Sequence, residues 1–226
     1  MEFSKEDIKA IENFIIDIDI LDSLECQLNK FNAFETLGIV KTEIRHSNVL
    51  AWLLNPNENH GLGDVFIKKF VQSVMTLAGD RLSNCNLNIF DISLMDYYDF
   101  IVRREWKNID ILVESEENNL VICIENKVDS KESKHQLNKY YEIINNEYKK
   151  YNKIFIFLTP EGNDASDTEN WITTNYSTIM ALIEKLLDLK SNNINDEVKS
   201  FINQYIEILR RYIVDNDKIS EICREI

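Results

Sequence analysis

Along the first thirty residues apolar side chains recur at three-to-four spacing, at Ile8, Ile11, Phe14 or Ile15, Ile18, Leu21, Leu24 and Leu28. That spacing predicts an amphipathic helix with one buried stripe. The same period returns from about Phe34 and continues through "EIRHSNVLAWLLNP", with Ser47 placed to cap a new turn and Pro56 marking the stop. Gly61 and Gly63 punctuate a loop, after which "DVFIKKFVQSVMTLA" reads as a further helix. From about Leu87 the texture changes to short strand-like runs: "LNIFDISL", "DFIVRREW", "IDILVE" and "LVICIE". A helix around "SKHQLNKYYEIINNEYKK", an apolar strand "KIFIFLTP", a strand at Trp171 to Thr174 and two closing helices near 176–190 and 196–216 complete the chain.

Helices, then an antiparallel meander of three or four strands, then helix, strand and helices predict an α/β sandwich with a mixed central sheet. The chain has 226 residues, 44% of them apolar, enough for one substantial core. A single domain is therefore expected over 1–226, made of an N-terminal helix (1–30), a core (34–160) and a C-terminal strand with helices (171–226). Apolar runs such as Ile154 to Leu158 fall far short of the ~20 residues of a membrane helix, and "MEFSKEDIK" lacks the order of a signal peptide. A soluble, cytoplasmic protein is expected. The four cysteines are scattered with no C-x-x-C pair, so neither a zinc knuckle nor a disulfide framework is predicted, and Cys123 reads as core.

The formal net charge of −14 argues at first sight against a nucleic-acid partner, because phosphate binding depends on Lys and Arg displacing counterions. Its distribution changes the picture. Residues 1–29 and 161–197 each hold eight acids and two bases, so these flanks supply −12 of the total, whereas residues 126–153 carry seven lysines against four acids. A basic strip is thus available in mid-chain, although Lys-rich helix faces are more often simply solvated.

The candidate chemistry lies in "NIDILVESEENNLVICIENKVDS", Asn108 to Ser130, a predicted β-hairpin with an acid in its first run and Glu125, Asn126, Lys127 closing its second. Alternation puts Glu125 and Lys127 on one face, and Asp110 on the neighbouring strand can share it. Two carboxylates at ~4 Å repel by about 4 kcal/mol at an effective dielectric near 20, which calls for a cation. A divalent metal offsets the repulsion better than lysine alone. Mg²⁺ takes one or two carboxylates with water and phosphate, and the Asn126 carbonyl offers a further oxygen. Lys127 would then orient the nucleophilic water and stabilise developing charge. An isolated Glu-x-Lys at a strand end is more commonly a solvated edge. The Asp fifteen residues before Glu125 makes the arrangement more specific.

These elements resemble the PD-(D/E)XK nuclease superfamily, with "NID" as its Asp strand and "IENK" as its Glu-x-Lys strand; Ile109 stands where the family name has proline. "QLNKY", Gln136 to Tyr140, looks like the Q-x-x-x-Y element of the RecB-like branch. "EIRHSNVLAWLLNPNENHGLGDVFIKKF" is similar to the N-terminal block of a bacterial branch in which a helix Glu, here Glu43, joins the site. The resemblance runs from about Phe34 to Leu158. It implies a restriction-endonuclease-like core and a Mg²⁺- or Mn²⁺-dependent nuclease acting on nucleic acid, DNA favoured over RNA, in phage defence, restriction or repair. It also implies that Asp110 and Glu125 bind metal, joined by Glu43 directly or through water, and that Lys127 positions the attacking water. By the same resemblance Gln136 and Tyr140 would orient the site or touch the substrate backbone. His46 and His60 read as capping or packing residues, and of Arg103 and Arg104, on opposite faces of a strand, one at most reaches the cleft. A nuclease fold that has lost cutting and serves in binding or assembly is the alternative, since fold does not guarantee function; a scaffold built on the N-terminal helix is a third reading. Homo-oligomerisation is left open. Five glycines and no G-x-G-x-x-G or Walker-type loop argue against a nucleotide-dependent enzyme.

Overall fold

In the computed structural model, described for Lys9, Phe14, Ile15, Ile18 and residues 30–79, 85–130, 132–133 and 135–214, five strands join in one sheet in the order β1-β2-β3-β4-β5. They are β1 (Ile101–Trp106), β2 (Ile109–Ser115), β3 (Leu120–Asn126), β4 (Asn152–Thr159) and β5 (Trp171–Asn175). Short turns join β1, β2 and β3, so these pair antiparallel, whereas β3–β4 and β4–β5 pair parallel. A parallel neighbour needs a crossover, and between β3 and β4 it is helix α5 (Gln136–Glu147). The remaining helices are α1 (Ala33–Thr36), α2 (Glu43–Leu54), α3 (Val65–Ala78), α4 (Ile89–Leu94), α6 (Tyr176–Lys190) and α7 (Asp196–Ile208).

Strand alternation separates two cores. Ile111, Val113, Ile122, Ile124, Ile154 and Ile156 face the larger one, shared with α2, α3, α6 and α7. Leu112, Val121, Cys123 and Phe155 face the smaller one, closed by Leu137, Tyr140 and Ile144 of α5. Covered on both sides, β3 is buried at every residue, while edge strand β1 alternates exposed and half-buried positions. This is a mixed, helix-flanked α/β sheet of the restriction-endonuclease-like kind.

Three local expectations are corrected. "LNIFDISL" forms a helix rather than a strand, because Asn88 Oδ1 accepts from the Phe90 and Asp91 amides while the Asp91 carboxylate accepts from the Asn88 amide. That reciprocal capping box satisfies the first amides of α4, and only Ile92 of the helix is buried. The segment after Phe34 is two helices, broken after α1 at Gly38, whose φ of 65° suits glycine. Since α2 starts at Glu43, Ser47 lies inside it, its hydroxyl donating to the Glu43 carbonyl at 3.1 Å instead of capping a turn. The last helix is α-helical to Ile208 and then widens into a π turn, Leu209–Ile213. The N-terminal helix expected over 1–30 lies outside the described residues except at Lys9, Phe14, Ile15 and Ile18, which are helical and exposed. No described helix is long and apolar enough to cross a membrane.

Phe66, fully buried on α3, packs with Leu50, Ile111, Ile124 and Ile179 around a small void, so removing the ring enlarges an existing apolar cavity. Phe66→Ala is expected to cost about 3–5 kcal/mol, read as a lower urea midpoint at unchanged slope.

Candidate active site

The β2–β3 ladder ends at Ile111 opposite Ile124, one residue short of Asp110. Beyond that point a side chain replaces the main chain as partner, for Asp110 Oδ2 accepts the Asn126 amide at 2.8 Å. On its other edge β3 continues, the Lys127 amide donating to the Leu158 carbonyl at 2.8 Å. Glu125 and Lys127 therefore keep the alternation and meet on the α5 face, with Lys127 Nζ 2.5 Å from Glu125 Oε1. The same ammonium lies 3.2 Å from Glu43 Oε1, at the first turn of α2. Glu43 Oε2 accepts from the Val128 amide at 3.1 Å and the Ser130 hydroxyl at 2.8 Å.

Gln136 opens α5 and donates from Nε2 to Glu125 Oε1 at 2.7 Å and to the Tyr140 oxygen at 3.1 Å. Tyr140, one helical turn on, donates to the Asn108 carbonyl at 2.5 Å. It thereby pins the β1–β2 turn, where Lys107 and Asn108, like Glu105 near the end of β1, hold left-handed φ of 53°, 69° and 54°, a conformation that non-glycine residues adopt at a cost. The structure thus brings Glu43, Asp110, Glu125, Lys127, Gln136 and Tyr140 together at the carboxyl end of β3. Asn126 differs: its side chain points to the opposite face, where Nδ2 donates to Ser47 Oγ at 3.0 Å and Oδ1 accepts from Tyr176 at 2.8 Å. Its side-chain carbonyl is occupied, and its main-chain carbonyl is the oxygen it has left for a metal.

Burial first, then the charges of Glu43 and Glu105, raise the Asp110 pKa to about 6 against the opposing Asn126 amide and Lys127. Glu125, fully buried, is pushed up to about 8, by burial and then by Asp110, with Lys127 opposing. Burial pulls Lys127 down, but its bond to Glu125 and the charges of Glu125, Glu43 and Asp110 outweigh this and raise its pKa. Among the described residues no three or more His, Cys, Asp or Glu side chains gather into a metal-holding group; Lys127 stands between Glu43 and Glu125, and the Glu43 oxygens accept from Lys127, Val128 and Ser130. Glu125 Oε2, however, is buried without a hydrogen-bond partner. Once ionised, a buried carboxylate oxygen left over in this way is costly. Together with Asp110 it fits a hard divalent cation that takes two carboxylates and completes its shell with water.

Both histidines weighed as candidates, His46 and His60, pack. His46 is buried between Tyr205 OH (3.2 Å) and the Val40 carbonyl (2.9 Å), and His60 joins the Asn55 carbonyl and the Leu62 amide. Burial lowers both pKa values. Arg103 pairs with Glu114 at 2.6 Å, and Arg104, on the other face, lies 3.5 Å from the Ile44 carbonyl beside Glu43. Lys139 is exposed on α5, while Lys131 and Lys134 lie outside the described residues. Sequence reasoning missed Ser130, Asn108 and Tyr176 as members of this cluster and assigned Ser47 to a cap. Ser47 carried a usable signal, standing one helical turn after Glu43; Tyr176 carried none.

An Asp beside the end of a Glu-x-Lys strand, in a mixed sheet flanked by helices, is the architecture of a nuclease core. A family model of the PD-(D/E)XK nuclease superfamily matches residues 31–207, and the chain belongs to that superfamily. Neither a curated protein nor a solved structure matches it. Nucleases of this superfamily generally use divalent metals and act on nucleic acid.

Between the ordinary carboxylate range and the raised values of about 6 for Asp110 and about 8 for Glu125, the folded state binds more protons than the unfolded one. Stability from these groups is therefore full below about pH 4 and is lost as pH rises through those values. A divalent cation, which takes the deprotonated carboxylates, opposes the loss. In EDTA the melting temperature is expected to fall between pH 5 and 8 more steeply than in Glu125→Gln, and Mn²⁺ should raise it more at pH 8 than at pH 5.5.

Proposed function

We propose that the protein is a metal-dependent nuclease that hydrolyses phosphodiester bonds, DNA in preference to RNA, working as one domain in the cytoplasm. The observation that carries this reading is the buried, unpartnered Oε2 of Glu125, on the face it shares with Asp110 and Lys127. Asp110, Glu125 and the Asn126 main-chain carbonyl would hold Mg²⁺ or Mn²⁺. Within a strand the N–H and C=O of one residue point to the same side, so that carbonyl is aimed where its amide is, towards Asp110. The ion would supply Lewis-acid polarisation of the phosphoryl oxygen and a more acidic water.

The chain's own groups divide the remaining work. Lys127 places its ammonium beside the attacking water and against the charge that grows on the phosphate. The water oxygen adds to phosphorus, the opposite P–O ester bond breaks, the water proton leaves to solvent and the departing oxygen is protonated. Glu43 holds Lys127 in place rather than binding metal directly, since Val128, Ser130 and Lys127 already occupy its oxygens. Gln136 holds Glu125 by Oε1 and leaves Oε2 free; Tyr140 fixes the turn before Asp110. In this reading Gln136 and Tyr140 serve as the Q-x-x-x-Y of the RecB-like branch. Phage defence, restriction and repair are the settings such an enzyme suits.

The second reading is a nuclease fold that only binds or assembles, favoured by the lack of a ready three-carboxylate cluster among the described residues. Plasmid, single-stranded DNA and RNA offered with Mg²⁺ or Mn²⁺ and with EDTA separate the two. Metal-dependent cutting supports the nuclease, and nucleic-acid binding without cutting supports the alternative. Lys127→Ala is expected to lower cleavage by about 10²–10³-fold with Mn²⁺ affinity, measured by calorimetry, nearly intact. Asp110→Asn should weaken both. Equal Mn²⁺ affinity in the two variants contradicts this division of roles.

A further inference from the structure

Asn126 is the middle residue of Glu125-Asn126-Lys127, and its side chain is fully buried on the face away from both neighbours. An apolar residue there would satisfy the larger core at less cost, because a buried amide must recover its lost hydration through hydrogen bonds. Both of its polar atoms do so. Nδ2 donates to Ser47 Oγ at 3.0 Å, and Ser47 in turn donates to the Glu43 carbonyl at 3.1 Å. Oδ1 accepts from the Tyr176 hydroxyl at 2.8 Å.

The two anchors come from different helices. Ser47 sits on α2 one turn from Glu43, whose carboxylate reaches Lys127 at 3.2 Å on the other side of the sheet. Tyr176 is the first residue of α6, whose start is set directly after β5 by Asn175, the side chain of which accepts the Thr178 amide. The Tyr176 ring is fully buried and stands edge-on to His46 at 5.7 Å, and His46 is itself held by Tyr205. The hydroxyl therefore has little freedom to move away from Asn126.

The front of the same residue carries the other half of the device. Its amide donates to Asp110 Oδ2 at 2.8 Å, so the peptide plane that sets the separation of Asp110 and Glu125 is gripped from in front by a carboxylate and from behind by Tyr176 and Ser47. Because Glu125 and Lys127 flank Asn126, a rotation of this residue displaces both. We propose that Tyr176 and Ser47 are positioning residues of the site: through the Asn126 side chain they fix the strand end on which the metal-binding carboxylate and the lysine are carried. This inference rests on the metal-site reading above.

Tyr176→Phe removes one oxygen and keeps the ring, so it cuts the bond to Asn126 together with the hydroxyl's hydrogen bond to Tyr205. In the full chain, Mn²⁺ affinity by calorimetry is expected to fall about 10-fold, and kcat on DNA by about 10–100-fold, the range typical of groups that orient metal ligands. KM for DNA should stay within about twofold, since no substrate contact is lost. The same substitution made on an Asn126→Leu background should have no further effect on either quantity, because its path is then already cut. Ser47→Ala tests the α2 anchor in the same assays and serves if Tyr176→Phe does not fold. A variant with a lower melting temperature but wild-type Mn²⁺ affinity and kcat overturns the positioning role alone, as does a full effect of Tyr176→Phe on the Asn126→Leu background. Wild-type protein that neither binds Mn²⁺ nor cuts overturns the metal-site reading and this inference with it.

Discussion

One positive charge organises the end of the sheet: the Lys127 ammonium, 2.5 Å from Glu125 and 3.2 Å from Glu43. Glu125 is fully buried beside Asp110, and an ionised carboxylate in that position needs a compensating cation to be tolerated. Lys127 supplies only part of it, reaching Oε1 and leaving Oε2 without a partner. The neighbouring elements meet this constraint. The first turn of α2 delivers Glu43 to the ammonium, α5 opens with Gln136 on the same carboxylate, and β2 delivers Asp110 to the Asn126 amide.

The mixed topology makes the arrangement possible. A purely antiparallel β2–β3 ladder continued to its end would spend the Asn126 amide on a main-chain carbonyl. Ending that ladder at Ile111 and Ile124 frees the amide for Asp110, while parallel pairing with β4 carries β3 on to Lys127. The crossover required by that parallel pairing is α5, whose first two turns land where Gln136 meets Glu125 and Tyr140 meets the β1–β2 turn. The residues that end the sheet are thus the ones that build the candidate site, whereas the acidic charge is concentrated in the flanks at 1–29 and 161–197.

Asp110, Glu125 and Lys127 were legible in the amino-acid sequence because a strand alternates faces with a period of two, a rule that needs no knowledge of the rest of the molecule. Gln136 and Tyr140 were singled out by their resemblance to a Q-x-x-x-Y element, and the spacing of four adds only that they share a helical face. The mixed sheet and the burial of Cys123 followed from equally local patterns, whereas capping or packing was expected of His46 and His60 only because those are the commoner roles of such residues. Where two local signals competed, apolar content misled: "LNIFDISL" has the texture of a strand, but the Asn88–Asp91 capping box and the exposed apolar surface of α4 belong to a short helix. Ser47 was misplaced for a related reason, since its role depended on where α2 begins, which is at Glu43, directly after Thr42.

The tertiary structure alone decided the rest. Tyr176 lies fifty residues from Asn126, and Ser47 lies seventy-nine; periodicity places each on a face of its own element without saying which element will stand behind β3. It was likewise packing that turned Glu43 towards Lys127, Val128 and Ser130, and that left one oxygen of Glu125 buried and unpaired. The sequence by itself determined which side chains share a face, because backbone geometry repeats over two to four residues. Which faces meet, and so which polar atoms are satisfied and which remain available for a cation, depended on contacts between segments far apart in the chain, for which short-range periodicity carries no record.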